Sequence, residues 1–340
     1  MKILIIKLGA MGDVLRTTAL LPALKEKYEP CGIDWITQKN SLDLLKDNPY
    51  IFNVVLIEDA TELGNYDLVI NLDDDDAACI LASTIKAKKL IGAYFKDRKK
   101  TYTDDSAPWF DMGLISRHGK EKADRLKAEN TKSFQEIHFG MLGLQNYEEF
   151  LPQLLVDQSN MQFAIQFMHN DHHNPKKIII GLNTGAGGRW EGKKLSIEKT
   201  VALIDILSNR DAQLMLFGGP DEEYRNKEIL QKTKTTIIDA GCHNSLLDFA
   251  ALVNLCDVLI TSDSLAMHMG IALQKQVIAF FCPTSSNEIE LYGNGRKIMA
   301  KKGCLCCYKG KCDPDPEYDI NEMVSAVDEF IQQRKQQPTP

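Results

Sequence analysis

Short runs of Ile, Leu and Val recur along the chain, and between them apolar residues return every three or four positions. The first run, Ile3–Ile6, predicts a strand, and Val14–Tyr28 behind it predicts a helix that carries Pro22. Ile33–Thr37, Val54–Ile57 and Leu68–Asn71 read as further strands. After residue 177 the alternation restarts, with strands predicted at Ile178–Asn183, Gln213–Phe217, Thr236–Asp239, Val258–Thr261 and Val277–Phe281. Helices are predicted between them near 196–209, 222–231, 246–255 and 264–273. Continuous apolar runs suit strands buried on both faces, and helices alternating with such strands imply parallel sheets. The polar stretch His169–Lys177 separates the two series and reads as a linker, which gives domains at 1–168 and 177–340. A last helix, Ile320–Gln333, gathers Ile320, Val324, Val327 and Ile331 on one face, and the tail beyond it is expected to fray.

Composition narrows this picture. At 340 residues, with 44% hydrophobic and 26% charged positions, the chain has material for two ordinary cores. A net charge of −7 argues against nucleic acid as a partner. The opening MKILIIKLGAMGD is interrupted by Lys7 and lacks a small-residue cleavage site, so it reads as a buried strand rather than an export signal. No stretch approaches the ~20 apolar residues of a membrane span. A cytoplasmic protein is expected, with its nine cysteines reduced.

Open parallel sheets bind ligands at the carboxyl ends of their strands, so the residues that follow each strand carry the chemical interest. Behind the first strand stands Gly9-Ala10-Met11-Gly12-Asp13, without the G-x-G-x-x-G spacing of a nicotinamide site. Asp13 reads either as a helix N-cap or as a catalytic carboxylate. In the second half, Thr184-Gly185-Ala186-Gly187-Gly188 followed by Lys193 and Lys194 suits a phosphate cradle, or a plain surface loop. Phe217-Gly218-Gly219-Pro220-Asp221-Glu222 places acids at a helix start, for a ribose or for the helix dipole. In Thr261-Ser262-Asp263-Ser264-Leu265-Ala266-Met267-His268, Asp263 and Ser264 can cap a helix whose N–H groups suit a diphosphate, with His268 one turn on.

Together these segments resemble glycosyltransferase family 9, the bacterial ADP-heptose:lipopolysaccharide heptosyltransferases. The resemblance rests on Lys7, Gly9, Gly12, Asp13, Thr17, Thr18 and Pro22, on FGGPDE at 217–222, and most specifically on the stretch from Leu247 to Thr284. It implies an α/β GT-B fold, with two Rossmann-like doubly wound domains facing across a cleft, the first binding the acceptor and the second the nucleotide sugar. It also implies a metal-independent, inverting transfer of heptose from ADP-heptose to a hydroxyl of the lipopolysaccharide inner core. Asp13 would be the general base. Thr184, Gly185, Lys193, Glu222, Asp263, Ser264 and His268 would hold the donor, and Lys7, Gly12 and Arg98 would face the acceptor. Another nucleotide sugar, a protein or small-molecule acceptor, and a non-catalytic binding protein are the rival readings. The chain departs from the family at Leu265 and Cys282, where glycine is usual, and at Lys193-Lys194-Leu195-Ser196, where K-x-W-P is usual.

Three further features bear on partners. Residues 86–100 hold Lys86, Lys88, Lys89, Lys96, Arg98, Lys99 and Lys100 against Asp97, which suits an anionic glycolipid and contact with the inner face of the membrane, or an ordinary solvated surface. Asp73–Asp76 contains D-x-D but is expected to form a solvated loop and to cap the next helix. Cys304, Cys306, Cys307 and Cys312 form C-x-C-C-x4-C, read either as a structural metal site or as reduced thiols in a hairpin, and no cofactor is otherwise expected.

Overall fold

The computed structural model describes the chain except residues 62, 171–173, 175, 176, 189, 304 and 337–340, and the side chain of residue 170. The first sheet is built from β1 (Lys2–Ile6), β2 (Gly32–Thr37), β3 (Asn53–Leu56), β4 (Tyr66–Asn71), β5 (Ala87–Lys96) and β6 (Lys99–Tyr102), in the order β3-β2-β1-β4-β5-β6. Five strands run parallel and β6 returns antiparallel to β5. The second sheet contains β7 (Ile178–Asn183), β8 (Ala212–Phe217), β9 (Ile238–Asp239), β10 (Val258–Ser262), β11 (Gln276–Phe281) and β12 (Gly295–Met299), in the order β12-β11-β10-β7-β8-β9. All of its pairings are parallel. Each sheet has the doubly wound order in which the chain starts at the centre, works to one edge, and returns to build the other side.

The central strands explain why the apolar runs lie where they do. Ile3, Leu4, Ile5 and Ile6 of β1 are fully buried, and every residue of β10 is buried. A strand hydrogen-bonded on both edges and covered by helices on both faces has no position for a polar side chain without a partner.

The predicted helix Val14–Tyr28 is two helices, Met11–Thr17 and Leu20–Tyr28. Pro22 cannot donate to the carbonyl of Thr18, and the chain tightens there so that the Thr18 N–H donates to Leu15 O at 3.1 Å. The β5–β6 hairpin and β12 are additions to the expected strands, and β9 is shorter than its predicted run. The last helix extends to Gln336.

The division of the chain also differs from the expected one. One unit comprises Met1–Leu155 with Asn287–Glu290, and the other comprises Val156–Ser286 with Leu291 onward. Helix Gln158–Asn170, expected in the first domain, belongs to the second. Its Ala164 and Met168 are buried in one cluster with Ile179, Met215, Phe217 and Leu252, and Asn160 donates to Asp248 at 2.8 Å. The helix follows its apolar face into that core, so the boundary lies upstream of 168. Most of the predicted linker 169–177 lies outside the described residues. The short segment Asn287–Glu290 joins the first unit, where Glu288 O accepts the Phe134 N–H at 2.9 Å.

Candidate functional site

In the first sheet the strand order reverses between β1 and β4, and a doubly wound sheet opens a crevice at the carboxyl ends of such a pair. The turn after β1 is fixed there by Lys7, which is buried. Its ammonium lies 2.5 Å from Asp73 Oδ1 and 2.6 Å from Gly9 O, and the Leu8 N–H donates to Asp73 Oδ2. Asp73 is therefore an internal strut, not the solvated acid expected from the run of aspartates. Burial pushes its carboxyl above the ordinary range, the Lys7 ammonium and the Leu8 N–H pull it back, and the nearby Asp13 adds to the rise. Asp75 does cap the following helix, accepting the Ala77 N–H at 2.8 Å.

Asp13 lies in the first turn of helix Met11–Thr17, next to Gly12, and is not the N-cap. That position is Ala10, which makes no side-chain cap bond, so the N-cap reading of Asp13 is corrected. The helix dipole still favours a carboxylate in this turn. Asp13 Oδ1 meets Arg16 Nη2 at 2.9 Å, with the Asp13 side chain 37% exposed and that of Arg16 only 9%. Arg16 lies over the rings of Phe134 and Trp109. Sequence reasoning missed Arg16, Trp109, Phe134 and the buried His138, because no spacing links residues brought together from three separate segments.

Arg98 occupies the tip of the β5–β6 hairpin, exposed, with left-handed backbone at both Asp97 and Arg98. The strand order sets this hairpin two strands from β1. Part of the basic stretch is matched by acids: Lys88 to Asp67 at 2.7 Å, Lys89 to Asp105 at 2.8 Å and Lys100 to Asp76 at 2.8 Å.

In the second sheet the reversal falls between β7 and β10. Asn183 at the end of β7 ties the two strand ends together, its amide donating to Gly185 O at 2.9 Å, Thr261 Oγ1 at 3.1 Å and Ser264 Oγ at 3.3 Å. Behind β10, Asp263 accepts from Lys193 Nζ at 2.8 Å and from Thr284 Oγ1 at 2.6 Å, with His268 Nε2 3.8 Å from its other oxygen. Lys193 also donates to Asp263 O at 2.8 Å. The lysine thus reaches the site even though the residues after it depart from the family pattern. Burial alone would raise the Asp263 pKa, but the charges of Lys193 and His268 and the hydrogen bonds outweigh it and hold the carboxyl at about 2.

Ser264 is the N-cap of helix Leu265–Ala272 but makes no side-chain cap bond. Its hydroxyl meets Thr261 Oγ1 at 3.1 Å and the Asn183 amide, whereas His268 turns to Asp263. A serine nucleophile activated by His268 is therefore not built here. What is built is a helix N-terminus whose N-cap Ser264 makes no side-chain cap bond, beside a lysine and a histidine, the arrangement that suits a phosphate.

Glu222 joins the same end of the sheet. It is buried, its Oε2 accepts the Gly219 N–H at 3.1 Å, and Lys194 Nζ lies 3.2 Å from its Oε1. A Cβ on Gly185 would come within 2.7 Å of Glu222 Oε2, so a larger residue there would require the glutamate side chain to shift. Thr184 Oγ1 lies 2.5 Å from Asn226 Oδ1 and 3.0 Å from Phe217 O, which pins the loop to β8. Lys194, the second lysine of the expected phosphate cradle, is held by Glu191 and Glu222. Burial tends to lower its pKa, but Glu191 and Glu222 outweigh that and hold it above the ordinary lysine value.

Of the cysteine cluster, Cys304 lies outside the described residues. Cys312 Sγ is 3.6 Å from Cys282 Sγ, both buried, while Cys306 and Cys307 are half-exposed. Among the described residues no three His, Cys, Asp or Glu side chains form a group that could hold a metal ion, and no helix is long and apolar enough to cross a membrane.

Comparison with known proteins bears on this arrangement. Lipopolysaccharide heptosyltransferase 3 of Escherichia coli K12 is 28% identical over 327 residues, covering 85% of this chain and 88% of that protein. A solved glycosyltransferase family 9 protein from Veillonella parvula superposes with a TM-score of 0.74 at 18% identity, covering 98% of this chain and 97% of the other. The E. coli heptosyltransferase WaaC with ADP superposes with a TM-score of 0.62 at 18% identity, covering 97% and 99%. The shared fold is GT-B. The glycosyltransferase family 9 (heptosyltransferase) pattern matches residues 60–316, and the chain belongs to that family.

Proposed function

We propose that the protein transfers a heptosyl residue from ADP-heptose to a hydroxyl of the lipopolysaccharide inner core, with inversion and without a metal ion. The observation that carries this reading is the group after β7 and β10, where Lys193, Asp263 and His268 stand at a helix N-terminus whose N-cap Ser264 makes no side-chain cap bond. The second unit binds the nucleotide sugar, with Thr184, Gly185 and Glu222 around the nucleoside and Lys193, Ser264 and His268 around the diphosphate. The first unit receives the acceptor, with Gly12 beside the base, Lys7 acting through Asp73, and Arg98 among the cations that meet an anionic glycolipid. That same basic hairpin suits peripheral contact with the inner face of the membrane.

Asp13 takes the proton of the acceptor hydroxyl as its oxygen bonds to the anomeric carbon on the face opposite the leaving group. The bond from that carbon to the nucleoside diphosphate breaks, and the diphosphate leaves with the electron pair. Fixed N–H groups and Lys193 stabilise the charge that develops on it. They take the place a divalent cation would otherwise have.

A screen of ADP-, UDP- and GDP-sugars by product chromatography should give turnover with the ADP donor, unchanged by EDTA, and NMR of the product should report an inverted anomeric centre. Turnover with UDP-sugars alone would sink the donor assignment. Asp13→Asn should cost about 100- to 10,000-fold in turnover, the usual contribution of a general base, while donor binding by calorimetry stays within error. The departures at Leu265 and Cys282 favour one rival, a different nucleotide sugar on the same fold, which the screen also decides.

A further inference from the structure

We propose that Arg16 is a positioning residue for Asp13, a buried guanidinium seated on an aromatic shelf that keeps the carboxylate charged and aimed in one direction. The inference rests on Asp13 being the base, and concerns how the first unit prepares it.

Asp13 and Arg16 are one turn apart on the same helix face, and such a pair on a surface helix contributes little. This pair is not of that kind. The carboxylate is the outer partner, with its side chain 37% exposed, and the cation is the inner one, at 9%. Arginine is seldom buried unless something receives its charge. Here two segments far along the chain receive it. The Arg16 guanidinium carbon lies 3.9 Å from the Phe134 ring centre and 5.9 Å from that of Trp109, and the two rings meet edge to face at 5.3 Å. A flat, weakly hydrated cation is attracted to the negative face of a ring, which an ammonium on a flexible stem exploits less well. The Arg16 Nε finds no acceptor among the described residues, so the ionic contact of this buried cation is the one its Nη2 makes with Asp13.

Two described groups near Asp13 are otherwise engaged. Lys7 and Asp73 are bound to each other. His138 stacks on Phe134 at 3.7 Å and on Trp109 at 4.8 Å, and its Nδ1–H donates to Phe134 O at 2.7 Å. Burial takes the His138 pKa down to about 3, and the Arg16 charge pushes the same way, so the ring is neutral throughout the range of an activity assay. Among these described groups, Arg16 is the cation in direct contact with the Asp13 carboxylate.

The test is the pH dependence of kcat/KM for the wild-type enzyme, Arg16→Met, Arg16→Lys and Phe134→Leu. A neighbouring opposite charge lowers a carboxylate pKa by about 1–3 units. Asp13 acts as a base, so removing the cation should move the acid limb to higher pH by about one unit or more. Below the limb that is roughly a tenfold loss per unit, and the loss should shrink above it. Arg16→Lys should give an intermediate shift, and Phe134→Leu a smaller one in the same direction. The Arg16→Met shift should persist in an Asp73→Asn background, since Asp73 is the other carboxyl that could shape the limb. A rate lowered equally at every pH, in variants with unchanged melting temperature and ADP affinity, would overturn the proposal and leave Arg16 a packing residue. If Arg16→Met does not fold, Arg16→Lys and Phe134→Leu decide it by the same criterion. Turnover retained in Asp13→Asn would refute the base assignment itself. An inactive Asp13→Asn with an unmoved limb in the Arg16 variants would refute this inference alone.

Discussion

Asp263 collects at one carboxylate most of what the second unit offers a ligand. Its oxygens receive a lysine, a threonine hydroxyl and the charge of a histidine, each from a different element. The pKa of about 2 against an ordinary 3.8 makes this a stability statement as well. Because the folded value lies below the unfolded one, the stabilisation is fully present above about pH 4 and lost as pH falls through about 2. Its size is on the order of 2 kcal/mol. Urea midpoints measured between pH 2 and pH 5 should therefore fall with acid in the wild-type protein and fall less steeply in Asp263→Asn. Parallel curves for the two proteins would mean that this carboxylate is not what the acid titrates. Residue identity predicted much of this group, since Asp263 and His268 stand in an ordered motif. Lys193 and Lys194 were anticipated by their place after the loop, whereas the contacts of Asn183 and Thr284 were not, because a single hydroxyl or amide carries no signal until its partners are known.

At the scale of elements, helix ends were legible, and two of the sheet edges were not. Helix Leu246–Leu255 begins where the sequence indicates, capped by Ser245, whose Oγ accepts the Asp248 N–H at 3.2 Å while donating to the Asp248 carboxylate at 2.6 Å. Ser245→Ala should cost about 1 kcal/mol, read as a lowered urea midpoint with unchanged slope, and a change within error would show that the cap is dispensable. Two of the four edge strands escaped notice for a physical reason. β6 and β12 carry Lys99-Lys100 and Arg296-Lys297 at exposed positions, as an edge facing water requires, so neither reads as an apolar run. The stretch 86–100 accordingly read as a surface, for an anionic glycolipid or for solvent, and not as strands. It is a hairpin whose backbone is paired and whose outward side chains are charged. Pro22 was visible as a residue, yet its effect, dividing one predicted helix into two, depends on the tertiary packing that keeps both halves helical.

For the whole molecule, the division into units was predicted from a polar, proline-containing stretch, but the boundary lies upstream at Leu155. Composition marks where a chain can bend, whereas a core decides which side an amphipathic helix joins. Met168, 4% exposed, belongs to the second unit's core, so Met168→Ala should destabilise that unit by about 2–5 kcal/mol. Under the nucleotide-sugar reading, ADP should protect the amides of residues 158–170 from hydrogen exchange together with those of the second sheet. Protection confined to the second sheet, with helix 158–170 exchanging independently, would return the boundary to 168.

The sequence by itself determined the two buried parallel sheets, since continuous apolar runs leave a strand no exposed face. It also determined which residues follow the strand ends, because chain order alone puts Asp13, Thr184, Glu222 and Asp263 there. Tertiary structure decided what those residues touch. The pairing of Lys7 with Asp73, the closure of Lys193 on Asp263, and the shelf of Phe134 and Trp109 beneath Arg16 join positions from 66 to 118 residues apart in the chain. No local pattern can specify such a contact, because its energy exists only once separate segments have been packed side by side.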